Sequence, residues 1–310
     1  MSLHVVLGKG PVGSTLSDRL VEQGHEVRVL SRSGGASTGA VEQREVDASD
    51  AAALTAASRG AVAIYNCANP PYDTWLQQWP PIATALLAAA EHTEAVLVTM
   101  SNLYGYGPVD GSLTEDLPLA APGPKGQVRA QMWVQALAAH EAGRVRVTEA
   151  RASDFVGPRV LAGGHLGERV VPKMLKGRAV RVIGDPDQPH SWTNIGDVAT
   201  ALAVLGTDQR AWGHAWHVPT APPVSLREAV LGLCRAAGVD PVPVRAVPHL
   251  VLRAAGLVVP LVRELEEVRY QFVRPFVLDS SAFTSTFGTT ATPLGQTWEQ
   301  TVAWWRRRLA

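Results

Sequence analysis

The glycine-rich stretch near the start of the chain, residues 4–13 (HVVLGKGPVG), most constrains what this sequence can fold into. A short apolar run ends in glycines spaced as G-x-G-x-x-G, and helical periodicity follows over residues 14–22. In such a strand–turn–helix unit, the first glycine tightens the turn, the second lets backbone approach a pyrophosphate, and the third lets the helix pack against the strand. The free N–H groups at the start of the helix then favour a bound phosphate. We therefore predict a dinucleotide site that includes Gly8, Gly10, Pro11, Val12 and Gly13.

The segment after the second predicted strand, residues 26–30, indicates which dinucleotide binds. It reads Ser31, Arg32, Ser33. Sites that prefer NAD place a carboxylate here for the ribose 2′-hydroxyl, whereas an arginine accommodates a 2′-phosphate. An arginine between two hydroxyls favours NADP(H), because a guanidinium makes charge-assisted hydrogen bonds to phosphate; the alternative is a solvated loop arginine. Asp47, which follows the third predicted strand, is a candidate contact to the adenine.

Predicted strands and helices alternate through the first half of the chain. The strands cover residues 4–7, 26–30, 41–46, 61–67, 95–99 and 144–150, and the helices cover 14–22, 51–58, 75–92 and 126–142. This order predicts an α/β protein with a doubly wound parallel (Rossmann) sheet in an NADP-binding domain of residues 1–155.

The second half is predicted to be mainly a smaller C-terminal α/β substrate domain, residues 156–310, over the carboxyl ends of the strands. Its predicted elements are helices at 165–175, 225–237 and 298–309 and a strand at 179–183, and helix 195–206 is expected to return to the first domain. Ser225 with Glu228 forms the pattern of a capping box.

Charge and apolar pattern exclude several classes of partner. The 28 basic and 28 acidic residues balance, so nothing favours nucleic acid or an anionic membrane surface. The longest apolar tract, residues 249–262, is interrupted by Arg253 and does not span a membrane.

The first apolar run is too short for a signal peptide, and Cys67 and Cys234 are expected to be reduced thiols, so we expect a cytoplasmic protein. The histidines lack metal-ligand spacing, so no metal site is expected.

With these features the chain resembles the short-chain dehydrogenase/reductase superfamily, in its extended, epimerase-like (NAD-dependent epimerase/dehydratase) branch. The resemblance rests on the glycine turn together with residues 101–107, 114–119, 151–158 and 192–199. The glycine spacing is more similar to that of atypical members. The resemblance implies a nicotinamide-dependent enzyme with a small-molecule substrate, and a homodimer formed through two helices of the dinucleotide domain.

In that family a Tyr-x-x-x-Lys pair carries out the proton chemistry, and here the tyrosine is missing. Counting forward from Glu115 and Asp116, the tyrosine position falls on Lys125 and the lysine position on Arg129. The resemblance implies that Arg129 binds the nicotinamide ribose. Lys125 could stabilise an oxyanion or act as an acid, which for a lysine requires a shifted pKa. The alternative is that both are solvated charges at a helix start.

The loop after the fifth strand and the second domain supply further candidates. Ser101 resembles the active-site hydroxyl of the family, with Asn102 as the alternative, and Tyr104 or Tyr106 could replace the missing proton donor. Packing against the second domain is the alternative role of each tyrosine. Substrate-facing positions are expected for Tyr106, His190 and Trp192. Candidates for the opposite wall are Glu264, Glu267, Tyr270 and Phe272, and buried structural roles are the alternative.

Three functions compete at this point. The leading hypothesis is an NADP(H)-dependent oxidoreductase that reduces a carbonyl or an enone of a small organic substrate. The second is a redox-neutral epimerase or dehydratase of the sugar-modifying type, which the loss of the tyrosine disfavours. The third is a non-catalytic NADP(H)-binding sensor, which that loss favours.

Overall fold

The computed structural model of the chain describes residues 1–161 and 163–310, with residues 260 and 261 described through their backbone alone. The strands are β1 (Leu3–Leu7), β2 (Glu26–Ser31), β3 (Val41–Glu45), β4 (Ala61–Asn66), β5 (Val96–Ser101), β6 (Ser112–Leu113), β7 (Val147–Arg151), β8 (Asp154–Val156), β9 (Val180–Val182), β10 (Pro189–His190), β11 (Trp192–Asn194), β12 (Ala215–His217), β13 (Val224–Ser225), β14 (Val244–Ala246) and β15 (Val277–Leu278). The helices are α1 (Pro11–Glu22), α2 (Ala51–Ser58), α3 (Trp75–Thr93), α4 (Pro124–Glu141), α5 (Val171–Met174), α6 (Ile195–Leu205), α7 (Leu226–Ala237), α8 (His249–Gly256), α9 (Pro260–Glu264), α10 (Ser281–Phe287) and α11 (Leu294–Leu309).

The central sheet is parallel throughout and runs in the order β12-β7-β5-β4-β1-β2-β3. The chain builds outward from β1 to β3 and then returns to the other side of β1 with β4. The strand order therefore reverses between β1 and β4, and ligands bind outside the carboxyl ends of the strands at such a point. The predicted doubly wound sheet is confirmed. Strand β12, an edge strand of three residues, was not predicted because its pattern is too short to read.

Helices cover both faces of this sheet, as the alternation of side chains along β1 requires. Val6 points into an apolar core formed with α1 and α6, and the two helices pack against each other. Its neighbours Val5 and Leu7 point into the opposite core, formed with α2, α3 and α4. Burial on both faces explains why the strand sequences are nearly continuous apolar runs.

A third core lies outside the sheet and joins α5, α7 and α11 through side chains that include Leu233, Trp298 and Trp305. Helix α7 begins with the predicted capping box, in which Ser225 and Glu228 bond each other's backbone N–H groups. Within the part of the chain that the structure describes, no helix combines the length and apolar character needed to cross a membrane.

The helix predicted over residues 165–175 is wrong, since the helical segment α5 covers only Val171–Met174. Consecutive tight turns precede it, with the N–H groups of Gly164, Gly167 and Val170 each donating to the carbonyl three residues earlier. A side chain at Gly167 would place its Cβ 2.1 Å from the Leu161 carbonyl oxygen, so this turn requires glycine. Glycines cost a helix about 1 kcal/mol each relative to alanine, and here they favour turns over the periodic pattern.

Candidate active site

A cleft of about 1290 Å³ runs along the carboxyl ends of the parallel strands. One end is lined by the glycine-rich turn and the ends of β2 and β3, and the middle by the ends of β4 and β5. The other end lies between the segment after β7 and apolar side chains of the C-terminal region, among them Leu252, Val262, Leu265, Val268, Phe272 and Phe276. The cleft is therefore large enough to bring a dinucleotide and a small substrate together.

The glycine-rich turn fits a pyrophosphate. Gly8 has φ +104°, and a Cβ there would lie 2.6 Å from the Cys67 carbonyl oxygen, so this turn from β1 passes tightly over the end of β4. A Cβ at Gly13 would lie 1.9 Å from the Gly8 carbonyl oxygen, whereas one at Gly10 would meet open space. Among the described residues, no side chain caps the N-terminus of α1 at Gly10. Pro11 has no N–H, so the free backbone N–H groups of the first turn begin at Val12 and are left to a ligand.

The predicted selectivity residues Ser31, Arg32 and Ser33 all line the first end of the cleft. Arg32 is exposed, so its guanidinium is accessible to a ligand. Asp47 lines the same end, and hydrogen bonds from the Ser49 backbone and hydroxyl, with the charge of Arg32 contributing, lower the pKa of its carboxyl. An ionised Asp47 is an acceptor for hydroxyl or amino groups of a ligand.

Arg129 lies on the cleft beside the end of β5. It is buried, and its guanidinium donates a 2.7 Å hydrogen bond to the Met100 carbonyl oxygen and lies 4.6 Å from the centre of the Trp79 ring. Burial lowers the pKa of Arg129 to about 10, although Glu149 opposes the shift. Its Nε is buried with no hydrogen-bond partner among the described residues. This free donor suits the ribose-binding role that the family resemblance implies.

The cleft also contains two of the predicted hydroxyl candidates, Ser101 and Tyr104. The Tyr104 ring lies 5.9 Å from that of Trp75 and meets the ring of Tyr72 at 90°. Burial raises the pKa of Tyr104 well above its ordinary value, and it raises that of Tyr72 as well. Both phenols therefore remain hydrogen-bond donors at neutral pH. Tyr72 was missed from the sequence, where the only signal is its place just after a buried strand and a Pro-Pro break.

Lys125 does not line the cleft, so its position does not support the catalytic role considered from the sequence. Its side chain is 4% exposed and ion-paired with Glu264 and, at 3.3 Å, with Glu267. The Lys125 backbone N–H also donates to Glu267, at 2.7 Å. The two carboxylates offset both the lysine charge and the positive end of α4. The hydrogen bond from Lys125 is the main reason why the pKa of Glu264 is lowered.

Glu264 and Glu267 are candidates for the cleft wall in the sequence analysis, but neither lines the cleft. Their ion pairs with Lys125 instead hold the segment of residues 264–272 in place. Leu265, Val268 and Phe272 from that segment line the cleft, while Tyr270 packs with an apolar cluster around Leu103. We call the contact of Lys125 with Glu264 and Glu267 the lysine clamp.

Tyr106 also lies away from the cleft, which corrects its expected substrate-facing position. It is 2% exposed, and its hydroxyl accepts from Arg151 at 2.7 Å and contacts His217 Nε2 at 2.8 Å. Arg151 in turn donates to the buried carboxylate of Glu149 at 2.7 Å. Each tyrosine is followed by a glycine, so the sequence does not distinguish Tyr104 from Tyr106. In the structure, Tyr104 lines the cleft and Tyr106 does not.

His190 and Trp192 do not reach the cleft either. Trp192 belongs to the third core and donates its indole N–H to the Val224 carbonyl oxygen. His190 is buried against Trp192 and contacts Asp154 Oδ2 at 2.8 Å. Asp154 and the nearby His165 do line the cleft, and neither was singled out from the sequence.

Comparisons with known proteins agree with this architecture. The model of the NAD-dependent epimerase/dehydratase family matches residues 5–218. No curated protein matches the chain. Among solved structures, a UDP-glucose 4-epimerase from Thermotoga maritima with UDP-glucose is similar, with 18% identity, complete coverage of both chains and a TM-score of 0.81.

Two further structures have the same fold. A UDP-glucuronic acid 4-epimerase from Bacillus cereus in complex with NAD is 16% identical over 98% of this chain and 99% of its own, with a TM-score of 0.80. The dTDP-glucose 4,6-dehydratase DesIV from Streptomyces venezuelae, with NAD bound, is 20% identical over 98% of this chain and 97% of its own, with a TM-score of 0.79. The glycine turn and the cleft suit a nicotinamide dinucleotide. Since the family match also extends over more than half of the sequence, the chain belongs to the NAD-dependent epimerase/dehydratase family of enzymes.

Proposed function

We propose that the protein is an NADP(H)-dependent oxidoreductase that reduces a carbonyl, or an enone by conjugate addition, in a small organic substrate. Residues at the ends of β2 and β3 would hold the adenosine, the glycine turn would hold the pyrophosphate, and residues at the ends of β5 and β7 would hold the nicotinamide. The cofactor supplies a hydride when bound. The residues of the chain bind it, exclude water and hold the substrate oxygen.

The observation that carries this proposal is Arg32 on the adenosine end of the cleft, between Ser31 and Ser33. The carboxylate on this end, Asp47, follows β3 rather than β2. A guanidinium at the 2′ position favours a phosphate there. Net reduction by NADPH requires that NADP⁺ leave after each turnover, whereas a redox-neutral enzyme can keep its dinucleotide bound.

The raised pKa of the Tyr104 phenol supports the reduction of a carbonyl over the oxidation of an alcohol. Tyr104 stays protonated because burial raises its pKa, so it donates a hydrogen bond to the oxygen on which negative charge develops. A phenol that acts as a base must instead ionise, which this site disfavours. Ser101 lines the same part of the cleft and is the second donor.

A redox-neutral epimerase or dehydratase is the second candidate, and the family and the solved neighbours support it more directly than they support the reductase. The three solved structures named above are a UDP-glucose 4-epimerase, a UDP-glucuronic acid 4-epimerase and a dTDP-glucose 4,6-dehydratase, and the last two contain NAD. Arg169 and Arg181 line the substrate end of the cleft and carry charges that suit an anionic substrate. The sensor hypothesis lacks a comparable observation, and the homodimer stays a prediction from the resemblance.

The reductase proposal predicts that the protein oxidises NADPH in the presence of at least one member of a panel of ketones, aldehydes and enones. The measurement is the loss of nicotinamide absorbance. Tyr104→Phe is expected to slow that turnover about 10²-fold, the effect of removing one oxyanion donor. Tyr106→Phe is the matched control outside the cleft and should keep the rate. Cofactor that copurifies, does not exchange and shows no net oxidation would favour the redox-neutral candidate instead.

Cofactor preference gives a separate prediction. Arg32→Ala should weaken NADPH binding about 10- to 100-fold, because a charge-assisted hydrogen bond contributes about 1.5–3 kcal/mol, and should leave NADH binding nearly unchanged. Fluorescence titration of both cofactors provides the measurement. Equal losses for NADPH and NADH would contradict a 2′-phosphate role for Arg32.

A further inference from the structure

Asp154, His165 and His190 form a cluster of titratable side chains at the substrate end of the cleft. The roles proposed above for Tyr104 and Ser101 do not involve this cluster. Asp154 Oδ2 is 2.8 Å from His190 Nε2, and Asp154 Oδ1 is 4.0 Å from His165 Nε2. Asp154 and His165 line the cleft, whereas His190 is buried behind them. The three residues come from β8, from the turns before α5 and from β10, so their convergence is a tertiary feature.

The hydrogen bonds of His190 fix the orientation of Asp154. His190 Nδ1 lies 3.2 Å from the Gln271 carbonyl oxygen, and its Nε2 faces the Asp154 carboxylate. Burial raises the pKa of Asp154, but the charge of His165 together with the hydrogen bond and charge of His190 outweighs it and leaves that pKa below its ordinary value. Asp154 is therefore an anchored anion beside His165.

We propose that His165 exchanges the proton with the substrate oxygen during hydride transfer, and that Asp154, held by His190, is its positioning residue; this inference rests on the proposed oxidoreductase function. In reduction, hydride passes from NADPH to the carbonyl carbon and the imidazolium of His165 gives its proton to the carbonyl oxygen. The products are the alcohol, NADP⁺ and neutral His165. The reverse step, alcohol oxidation, uses neutral His165 as the base, so the same pair serves the redox-neutral candidate.

A histidine suits this step better than the phenols of the same cleft. General acid–base catalysis is most efficient when the pKa of the group lies near the working pH, and burial moves the pKa of Tyr104 far above it. Tyr104 can hold the oxygen by a hydrogen bond while His165 changes protonation state. The Ser153 hydroxyl, buried on the cleft next to Asp154, has no partner among the described residues, which leaves it free for a polar substrate.

The groups around His165 set the direction of its titration. Burial lowers the pKa of His165; Asp154 raises it, and His190 and Arg169 lower it further. The ring also packs against Phe272, with centres 4.1 Å apart. Reduction needs the charged form, so NADPH oxidation should fall as the pH rises through a pKa below 6.5, while alcohol oxidation should rise over the same range.

The test compares His165→Gln and Asp154→Asn with the wild type, using NADPH and a ketone, aldehyde or enone that the protein reduces. We expect His165→Gln to lower kcat by about 10²- to 10⁴-fold while NADPH affinity is kept. Asp154→Asn should move the midpoint of the pH profile to lower pH, because it removes the charge that favours imidazolium; a merely structural role would not move it. His92→Gln, an exposed histidine at the end of α3, is the matched control and should change neither.

The outcomes separate this inference from the proposed function. Wild-type turnover that survives in His165→Gln would overturn the role of His165 and keep the oxidoreductase. Absence of wild-type turnover across the panel would count against the oxidoreductase. In that case an NMR titration of the histidine resonances tests the pair itself: a His165 midpoint below 6.5 that falls further in Asp154→Asn supports the coupling, and an identical midpoint in both proteins overturns it.

Discussion

Gly13→Ala is expected to impair both folding and cofactor binding. The new methyl group would lie 1.9 Å from the Gly8 carbonyl oxygen and 3.2 Å from a Val6 methyl, so the backbone of the turn must move. Overpacking of this kind costs about 1–3 kcal/mol or more, against about 1 kcal/mol gained because alanine favours a helix over glycine. We therefore expect a lower unfolding temperature and a loss of NADPH affinity of tenfold or more.

Gly10→Ala is the matched comparison three residues earlier. Its Cβ would meet open space, and Gly10 has φ −70°, which any residue adopts, so stability should stay within about 0.5 kcal/mol of the wild type. Its methyl group would instead occupy the space through which a pyrophosphate approaches the backbone. Thermal unfolding without ligand and fluorescence titration with NADPH separate the two effects. Normal NADPH affinity in Gly10→Ala would contradict the placement of the pyrophosphate at this turn.

These glycines also show why the sheet could be predicted from the sequence. The order of strand, turn and helix, the apolar runs and the capping box at Ser225 are local patterns, and each has one common structural outcome. The prediction failed where a local pattern had two outcomes, as in residues 165–175, where apolar spacing indicated a helix and glycines imposed turns. It also missed the edge strand β12, which depends on pairing with β7.

The site was less predictable, because it depends on contacts between distant segments. The cofactor end was accessible from sequence, since the turn and the Arg32 segment directly follow strands. Lys125 could not be placed without knowing that it pairs with Glu264 and Glu267, which lie 139 and 142 residues further along the chain. Asp154 and His165 were missed because nothing in their spacing brings them together.

Lys125→Met is expected to destabilise the fold by about 2 kcal/mol. It leaves Glu264 and Glu267, whose side chains are 23% and 18% exposed, without the cation that neutralises them. This partial exposure keeps the cost below the 3–5 kcal/mol typical of a fully buried pair. Arg144→Met, which breaks an exposed ion pair with Glu91, is the matched control and should cost about 0.5 kcal/mol or less.

The contribution of the lysine clamp to the stability of the fold also depends on pH. Because the folded pKa of Glu264 is below the ordinary value of 4.5, the pair stabilises the fold above that pH and loses its effect as the pH falls through the folded pKa. Chemical denaturation from pH 7 to pH 3 should show this slope in the wild type and a smaller one in Lys125→Met. The variant should still oxidise NADPH, with a higher KM because the segment that carries Leu265 and Val268 is less firmly held. If Lys125→Met instead kept the stability of the wild type and lost turnover, Lys125 would be a catalytic residue. A residue that only forms the lysine clamp affects turnover through the stability of the fold.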